Sequence, residues 1–241
     1  MAKNFKKEIL KGKNCFLTGA TGGIGKSIAR KMAENGCNLF LTSENEKALE
    51  EMKAEFKNVK VVYEVGNLNK IEDIERIITK AKEEFGNIDI LINCAGMFPI
   101  KSLPESTLED FDNCFNVNIR AAFLFCKAFS ESMTKNKWGK IVNIGSSSSY
   151  GGTKNTAIYC ASKHAILGLS RALHQELKEN GVRVFCVSPG GAKTEMGKKI
   201  TWQDYNTLID PEDIAEYVSF IISFDGDMVV DETRLNRMIT Q

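Results

Sequence analysis

The stretch TGATGGIGKS, residues 18–27, follows a short apolar run, Cys15 to Thr18, and opens a helical pattern that extends from Gly25 to Asn35. Glycines between a strand and a helix let backbone N–H groups approach a phosphate closely, and the helix dipole at that end favours negative charge. This stretch therefore predicts a strand–turn–helix unit of an α/β protein, with a turn suited to binding a nucleotide.

The rest of the chain continues the alternation of short β-rich runs and longer helical patterns, and no Pro-rich or Gly/Ser-rich linker interrupts it. Such alternation predicts βαβ units joined by right-handed crossovers. We expect one Rossmann-type, doubly wound parallel sheet of about seven strands, with helices on both faces, in a single domain of residues 1–241.

The predicted strands are mostly continuous apolar runs, as strands covered on both faces should be. They are Cys15–Thr18, Leu39–Thr42, Val59–Val65, Ile88–Asn93, Lys140–Ile144, Val182–Val187 and a last candidate near Met228–Val230. The predicted helices are Gly25–Asn35, Glu46–Phe56, Ile71–Phe85, Leu108–Lys135, Thr156–Asn180 and Pro211–Phe224. Because such sheets bind ligands beyond the carboxyl ends of their strands, we expect the functional residues directly after strands.

Composition disfavours several classes of partner. Of the 241 residues, 43% are hydrophobic, and 32 basic side chains nearly balance 31 acidic ones. A balanced charge gives no general attraction for nucleic acid or anionic membranes. No apolar run forms a secretory signal or approaches the ~18 residues of a membrane span. We therefore expect a soluble, cytoplasmic protein that binds neither nucleic acid nor membrane.

The cysteines and histidines do not indicate a metal site. The seven cysteines form no C-x-x-C pair, and His164 and His174 have no partner at metal-ligand spacing. We expect reduced, buried thiols and no metal ion.

The glycine turn by itself fits two chemistries. It matches the P-loop pattern G-x-x-x-x-G-K-S/T except that Ala20 replaces the first glycine, so Lys26 would contact phosphates and Ser27 would bind Mg²⁺. The other chemistry is a dinucleotide site. A P-loop enzyme also needs a carboxylate after a strand to hold Mg²⁺, whereas two predicted strands lead to Asn93 and Ser188. The dinucleotide site is favoured, and a tight turn without function is the simplest alternative.

Two further features indicate proton transfer. Tyr159 and Lys163 are four residues apart in a predicted helix and share one face, where an ammonium favours the phenolate and makes the pair a general acid/base. The serine run 146–149 follows the predicted strand Lys140–Ile144, which brings hydroxyls to the carboxyl end of the sheet. An accidental pair on an amphipathic helix and an ordinary serine-rich turn are the alternatives.

Together these residues resemble the short-chain dehydrogenase/reductase family, over nearly the whole chain to about Phe224. The family patterns T-G-x-x-x-G-I-G, N-N-A-G, N-x-N, Y-x-x-x-K and P-G-x-x-x-T occur in chain order. The pattern N-N-A-G appears as Asn93-Cys94-Ala95-Gly96, and the residues that meet the other patterns are Thr18, Gly19, Gly23, Ile24, Gly25, Asn116-Val117-Asn118, Tyr159, Lys163, Pro189, Gly190 and Thr194. The family's catalytic serine lies 13 residues before the tyrosine, which selects Ser146.

The resemblance implies hydride exchange between a nicotinamide and a carbon that bears an alcohol or a carbonyl group. Tyr159 would give or take the proton of the oxygen, and Ser146 would hydrogen-bond that oxygen. Lys163 would lower the pKa of Tyr159 and bind the nicotinamide ribose, and Asn118 would hold a water in the proton relay. A reduction needs such groups where negative charge develops.

The resemblance also implies which residues bind the dinucleotide: Gly19, Thr21, Gly23, Ile24, Gly25, Ser43, Asn67, Leu68, Asn93, Ala95, Gly96, Tyr159, Lys163, Pro189, Gly190, Ala192 and Thr194. Ser43 stands where NAD-preferring relatives carry Asp, and Glu44 stands where many NADP-preferring relatives carry Arg. Thr42, Ser43 and Lys26 could serve a 2′-phosphate, whereas Glu44 could bind the 2′-hydroxyl of NAD. We favour NADP(H) and keep NAD(H) as the alternative.

The stretches Thr42–Asn45 and Ile144–Ser146 look most like the 3-oxoacyl-acyl-carrier-protein reductase branch of the family. Two regions depart from it: a short lid near 194–210, and the C-terminal segment 228–234, which replaces the customary glycine-rich strand. A short lid covers less of a substrate, so a small, a sugar or a carrier-bound carbonyl or alcohol stays open. A protein that binds the dinucleotide without turnover is an alternative of another class.

Aromatic and small apolar side chains indicate further contacts. Phe98, Trp202 and Tyr205 are predicted to line the substrate pocket. The stretches Ala121–Cys126 and Ala165–Leu169 match the family's subunit-contact helices, so we expect a homodimer or a homotetramer.

Overall fold

Seven parallel strands form one sheet in the computed structural model, which describes residues 7–238. They are β1 (Asn14–Thr18), β2 (Asn38–Ser43), β3 (Val61–Val65), β4 (Ile90–Asn93), β5 (Gly139–Ile144), β6 (Val182–Pro189) and β7 (Glu232–Leu235). Their order in the sheet is β3-β2-β1-β4-β5-β6-β7. The predicted parallel sheet is confirmed; residues 1–6 and 239–241, the ends of the predicted domain, lie outside the described residues.

The order of the strands reverses between β1 and β4. Cys15 of β1 is in register with Leu39 of β2 on one side and with Ile90 of β4 on the other. The two crossovers that start here leave in opposite directions, which opens a crevice at the carboxyl ends of these strands. The glycine turn that follows β1 lies at this crevice.

Helices cover both faces of the sheet. They are α1 (Gly23–Glu34), α2 (Glu46–Glu55), α3 (Ile71–Phe85), α4 (Leu108–Phe115), α5 (Ala121–Lys135), α6 (Ala157–Leu177) and α7 (Pro211–Ile222). Helix α3 ends before Gly86, whose φ of 70° lies in the left-handed region that favours glycine. None of the helices in residues 7–238 has the length and apolar character that a bilayer crossing needs.

Alternating side chains of the strands divide the core into two layers. Leu17 of β1 packs with residues of α1, α2 and α7 on one face, and Phe16 packs with residues of α3 and α5 on the other. The ring of Phe16 stacks on Phe40 with centroids 5.1 Å apart and lies 4.9 Å from both Phe125 and Phe129. The doubly wound arrangement predicted from the sequence is confirmed.

The predicted helix Leu108–Lys135 is interrupted. A π turn, Asn116–Arg120, separates α4 from α5, and the N–H of Ala121 bonds to Asn116 O five residues earlier. A π turn is a local insertion that is frequent at functional sites. The apolar period does not reveal this turn because it continues on both sides, yet the turn carries Asn118.

The last strand begins later than predicted. The run Met228–Val230 belongs to no strand, and β7 follows at Glu232–Leu235. Arg183 donates to Gly226 O at 2.5 Å and to Met228 O at 3.2 Å. These carbonyls therefore accept hydrogen bonds from a guanidinium and not from a neighbouring strand. The apolar run was misleading because β7 is an edge strand, where charged residues are common.

Candidate active site

The glycine turn between β1 and α1 depends on close backbone contacts. Gly19 has a φ of 65°, and a Cβ there would lie 2.7 Å from Ala95 Cα. A Cβ at Gly25 would lie 2.9 Å from the carbonyl carbon of Gly19. Gly22 precedes α1 without a side-chain cap, so the first-turn N–H groups remain available to a ligand. A compact turn with these donors fits the diphosphate of a dinucleotide.

The geometry disfavours the P-loop interpretation. Ser27, which would bind Mg²⁺, donates its hydroxyl to Gly23 O at 3.2 Å and to Glu212 Oε1 at 3.1 Å. Neither Lys26 nor Ser27 lines the large cavity at this end of the sheet. Within residues 7–238, no group of three or more His, Cys, Asp or Glu side chains could hold a metal ion.

The carboxyl end of β4 is fastened to the end of β1. Thr18 Oγ1 accepts the N–H groups of Cys94 and Ala95, both at 3.1 Å. Asn93 is turned into the protein, where its Nδ2 donates to Asn143 Oδ1 at 2.8 Å. Of these residues, Cys94 and Ala95 line the large cavity and Asn93 does not.

Ser146 and Tyr159 meet beyond the carboxyl end of β5. Ser146 Oγ accepts the N–H of Ser148 at 3.1 Å, which leaves its hydroxyl proton for another partner, and the side chain hydrogen-bonds with Tyr159. Tyr159 lies in the first turn of α6, and its ring packs edge-on against Phe98 with centroids 4.5 Å apart. Both Ser146 and Tyr159 are buried and line the same cavity.

Lys163 joins α6 to the last residue of β5. Its side chain is 5% exposed, and Nζ donates to Ile144 O at 2.8 Å. Burial lowers the pKa of Lys163 because desolvation disfavours the charged ammonium. An ammonium has three donors, so Lys163 can serve this carbonyl and a ligand together.

The acidity of Tyr159 differs from the sequence-based expectation. Burial raises the pKa of Tyr159 to about 12, and the hydrogen bond with Ser146 opposes this rise without outweighing it. The net shift is upward, while the ammonium of Lys163 bonds to Ile144 and lies 5.7 Å from the centroid of the Tyr159 ring, so the lowering of this pKa by Lys163 stays a prediction. At neutral pH Tyr159 is therefore a neutral phenol, which is the form that donates a proton.

Asn118 holds the backbone that follows β4. Its Oδ1 accepts the N–H of Met97 at 2.7 Å, and its Nδ2 donates to Met97 O at 3.0 Å and to Ser162 Oγ at 2.9 Å. The large cavity is not lined by Asn118. Together with Asn93, Asn118 borders a separate cavity of about 10 Å³, close to the ~10–15 Å³ that one water needs.

One cavity of about 770 Å³ brings together most of the predicted site residues. Those that line it are Gly19, Thr21, Gly23, Ile24, Gly25, Ser43, Asn67, Leu68, Ala95, Gly96, Ser146, Tyr159, Lys163, Pro189, Gly190, Ala192 and Thr194. Of the predicted catalytic and dinucleotide-binding residues, Asn93 and Asn118 lie outside this lining, as does Lys26, a candidate for binding a 2′-phosphate. Phe98 and Trp202 line the cavity as predicted for the substrate side, whereas Tyr205 does not.

Sequence reasoning missed part of the lining. The missed residues include Gly22, Gly66, Asn69, Cys94, Met97 and Gln203. All of them are next to a predicted residue or its motif, and Gln203 follows Trp202, so extending each predicted stretch by one position would have found them.

The charges around the cavity are unevenly distributed. Among the described residues that line it, Lys163 is the only cation, whereas Glu44 and Glu195 are acids. Near Glu44, the hydroxyls of Thr21 and Ser43 lie 2.5 Å apart, and Ser43 Oγ accepts the N–H of Asn45 at 3.3 Å. This part of the cavity therefore offers hydroxyl donors and one carboxylate.

A glycine turn, a serine hydroxyl and a buried Tyr–Lys pair around one crevice of a parallel sheet define a site of the kind found in dinucleotide-dependent oxidoreductases. The sequence model of the family described as short chain dehydrogenase matches residues 13–204. The chain belongs to this family, and it is a dehydrogenase/reductase of the class that uses NAD(P).

Individual relatives agree with this assignment. An uncharacterized oxidoreductase of Staphylococcus saprophyticus is 33% identical in an alignment of 226 positions that covers 92% of this chain and 96% of the relative. A 3-oxoacyl-acyl-carrier-protein reductase of Rickettsia conorii is 30% identical over 233 residues, covering 93% of this chain and 95% of the relative. The similarity to the Rickettsia conorii protein is consistent with the resemblance to the 3-oxoacyl-acyl-carrier-protein reductase branch.

A solved structure of another protein supports the same family assignment. A metagenomic short-chain oxidoreductase in complex with NADP matches with a TM-score of 0.84 at 27% identity. The match covers 95% of this chain and 99% of that chain.

The raised pKa of Tyr159 can be measured in the cofactor-free protein. Tyrosinate absorbance of the wild type minus that of Tyr159→Phe isolates the ionisation of this residue. Because the pKa is raised to about 12, we expect no difference signal below about pH 10, the ordinary tyrosine value. An ionisation with its midpoint near neutral pH would contradict the burial argument.

Proposed function

We propose that this protein reduces a carbonyl compound to a secondary alcohol with NAD(P)H and also catalyses the reverse oxidation. The observation that carries the proposal is the convergence of Tyr159, Ser146 and Lys163 on one cavity with the glycine turn. A protein that only bound a dinucleotide would have no chemical need for a buried phenol, hydroxyl and ammonium together.

Tyr159 donates the proton that the carbonyl oxygen requires. Its burial keeps the phenol protonated at neutral pH, and Phe98 supports the ring edge-on. Ser146, whose Oγ accepts the N–H of Ser148, would turn its hydroxyl proton from Tyr159 to the same oxygen. Two fixed donors then meet the negative charge that develops when the carbonyl carbon is reduced.

Lys163 supplies positive charge beside the reacting oxygen. Its ammonium is anchored on Ile144 O and keeps further donors for a ribose hydroxyl. In the direction of oxidation this charge favours the phenolate of Tyr159. Asn118 borders a cavity of about 10 Å³, which supports its role in holding one relay water. NAD(P)H, when bound, supplies the hydride.

NADP(H) is the proposed cofactor, with NAD(H) as the alternative. The first turn of α1 would hold the diphosphate, and Thr21, Ser43 and Glu44 would contact the adenosine ribose. The paired hydroxyls of Thr21 and Ser43 can donate to a 2′-phosphate, and the similar metagenomic oxidoreductase is in complex with NADP. Glu44 lines the same cavity and weakens this preference by repulsion.

The proposed substrate is an uncharged carbonyl compound of the 3-oxoacyl type. The name of the Rickettsia conorii relative supports this class, and so do the aromatic side chains of Phe98 and Trp202 at the cavity. Lys163 is the only cation among the described lining residues, and its ammonium is already bonded to Ile144. A free carboxylate or phosphate on the substrate would thus lack a counter-charge. The segment 194–210 forms the lid over this side.

Replacing Tyr159 with Phe removes the proposed proton donor and keeps the ring. We expect kcat for reduction of a 3-oxoacyl ester to fall by about 10²- to 10⁴-fold, while the Kd for NADPH, measured by fluorescence, stays nearly unchanged. Tyr63→Phe is the matched control, because Tyr63 is a strand residue whose hydroxyl contacts Glu50 outside the site. Undiminished turnover in Tyr159→Phe would contradict the mechanism.

Glu44 provides a test of cofactor choice. We expect wild-type kcat/KM to be higher with NADPH than with NADH. Glu44→Gln should raise the NADPH value by about 3- to 10-fold by removing a negative charge near the 2′-phosphate, and the NADH value should change less. Glu51→Gln, at an exposed position of α2, is the control. A wild-type preference for NADH would overturn the NADP(H) assignment.

A homodimer or homotetramer through α5 and α6 is also proposed. Phe123 of α5 is 47% exposed, and a Cβ at Gly168 of α6 would meet no atom within 4 Å. Light scattering should therefore give two or four chain masses, and Phe123→Glu should shift the mass toward one chain because an interface would bury the new carboxylate. Ile71→Glu on α3 is the control. A single-chain mass for the wild type at micromolar concentration would contradict the proposal.

A further inference from the structure

The segment that follows α7, residues 224–238, is the C-terminal arm, and two cations hold its first part. Lys140 is fully buried in β5, and its Nζ donates to Asp225 Oδ1 at 2.8 Å. Arg183 of β6 donates to the carbonyls of Gly226 and Met228. These contacts direct the arm along the sheet after α7 ends.

The second part of the arm runs along β6 to the wall of the active-site cavity. Strand β7 pairs with the last four residues of β6, so that Ser188 is opposite Arg234 and Pro189 is opposite Leu235. The N–H of Gly190 then donates to Leu235 O at 2.8 Å. Pro189 and Gly190 line the cavity. The arm therefore contacts the backbone of the cavity wall.

Side chains of the arm also contact the elements that carry the catalytic groups. Arg171 of α6 makes two hydrogen bonds to Glu232, at 2.7 and 3.0 Å. The guanidinium of Arg234 lies 4.6 Å from the ring centroid of Tyr150, which ends the serine turn. Exposed ion pairs of this kind contribute little to the free energy of unfolding. We therefore expect these contacts to affect the position of the arm and not the stability of the fold.

The last contact of the arm is with the predicted lid, residues 194–210. Arg237 Nη1 donates to Thr207 Oγ1 at 2.9 Å. Directly after Thr207, the lid closes onto the cavity wall: the N–H of Ile209 donates to Gly191 O at 2.9 Å, and Lys193 N donates back to Ile209 O at 2.8 Å. Arg237 therefore contacts the lid at Thr207, two residues before Ile209 bonds to the cavity wall.

We propose that Arg237 is a positioning residue of the active site, through which the C-terminal arm holds the lid against the substrate side of the cavity. The arm is attached to β6, α6 and the serine turn, so Arg237 is connected to the elements that carry the site. Trp202 and Gln203, which line the cavity, lie in the lid only a few residues before Thr207. Loss of the Arg237 contact loosens these residues and leaves the glycine turn unaffected.

Hydrogen exchange tests the contact without any assay of activity. In Arg237→Met we expect amides of 194–210 to exchange about 2- to 10-fold faster, as for the loss of one hydrogen bond. Thr207→Val removes the same contact from the other side, together with the bond from Thr207 Oγ1 to Asp204 O within the lid. It should increase exchange at least as much, and adding Arg237→Met to it should give no further increase. Arg237→Lys retains a donor and should restore much of the protection. Arg30→Met, which breaks the remote Arg30–Glu55 pair, is the control.

Kinetics then test the consequence, which rests on the proposed function. Arg237→Met should raise KM for the carbonyl substrate by about 2- to 10-fold, with kcat and the Kd for NADPH nearly unchanged. Unchanged lid exchange in both Arg237→Met and Thr207→Val would overturn the proposal, and so would faster exchange with an unchanged KM. A wild type that binds NADPH and reduces no carbonyl compound would instead refute the proposed function, while lid exchange would still decide whether the arm holds the lid.

Discussion

The hydrogen bond from Lys163 Nζ to Ile144 O is the contact on which the arrangement of the site depends. Burying an ammonium costs free energy, which a close acceptor helps to offset. Because the donor belongs to α6 and the acceptor ends β5, the bond ties the first turns of α6 to the carboxyl end of the sheet. Tyr159, one helical turn before Lys163, lies near Ser146, two residues after Ile144.

The sequence predicts those parts of the fold in which local pattern and burial agree. Strands β1, β2 and β5 are apolar and almost wholly buried, and the structure has them within about one residue of the predicted bounds. The predicted site residues could be recognised for the same reason: parallel strands bring the turns that follow them to one edge. Ser146, Tyr159 and the glycine turn accordingly line one cavity.

Features set by tertiary contacts could not be predicted in this way. The π turn at Asn118 leaves the apolar period on both sides intact, and the position of β7 depends on carbonyls captured by Arg183. The direction of the Tyr159 pKa shift is a third case. Residue spacing indicates that Lys163 is near the phenol, but the shift depends on how deeply both are buried and where the ammonium points.

The central claim is that these groups together move a hydride and a proton to a carbonyl group. Deuterium labelling tests it most directly: the protein is incubated with a 3-oxoacyl ester and NADPH deuterated at the transferable position of its nicotinamide, and the alcohol is analysed by mass spectrometry. The account predicts one deuterium on the carbinol carbon and a solvent proton on its oxygen. Alcohol without deuterium, or label that stays in the cofactor while no alcohol forms, would contradict it.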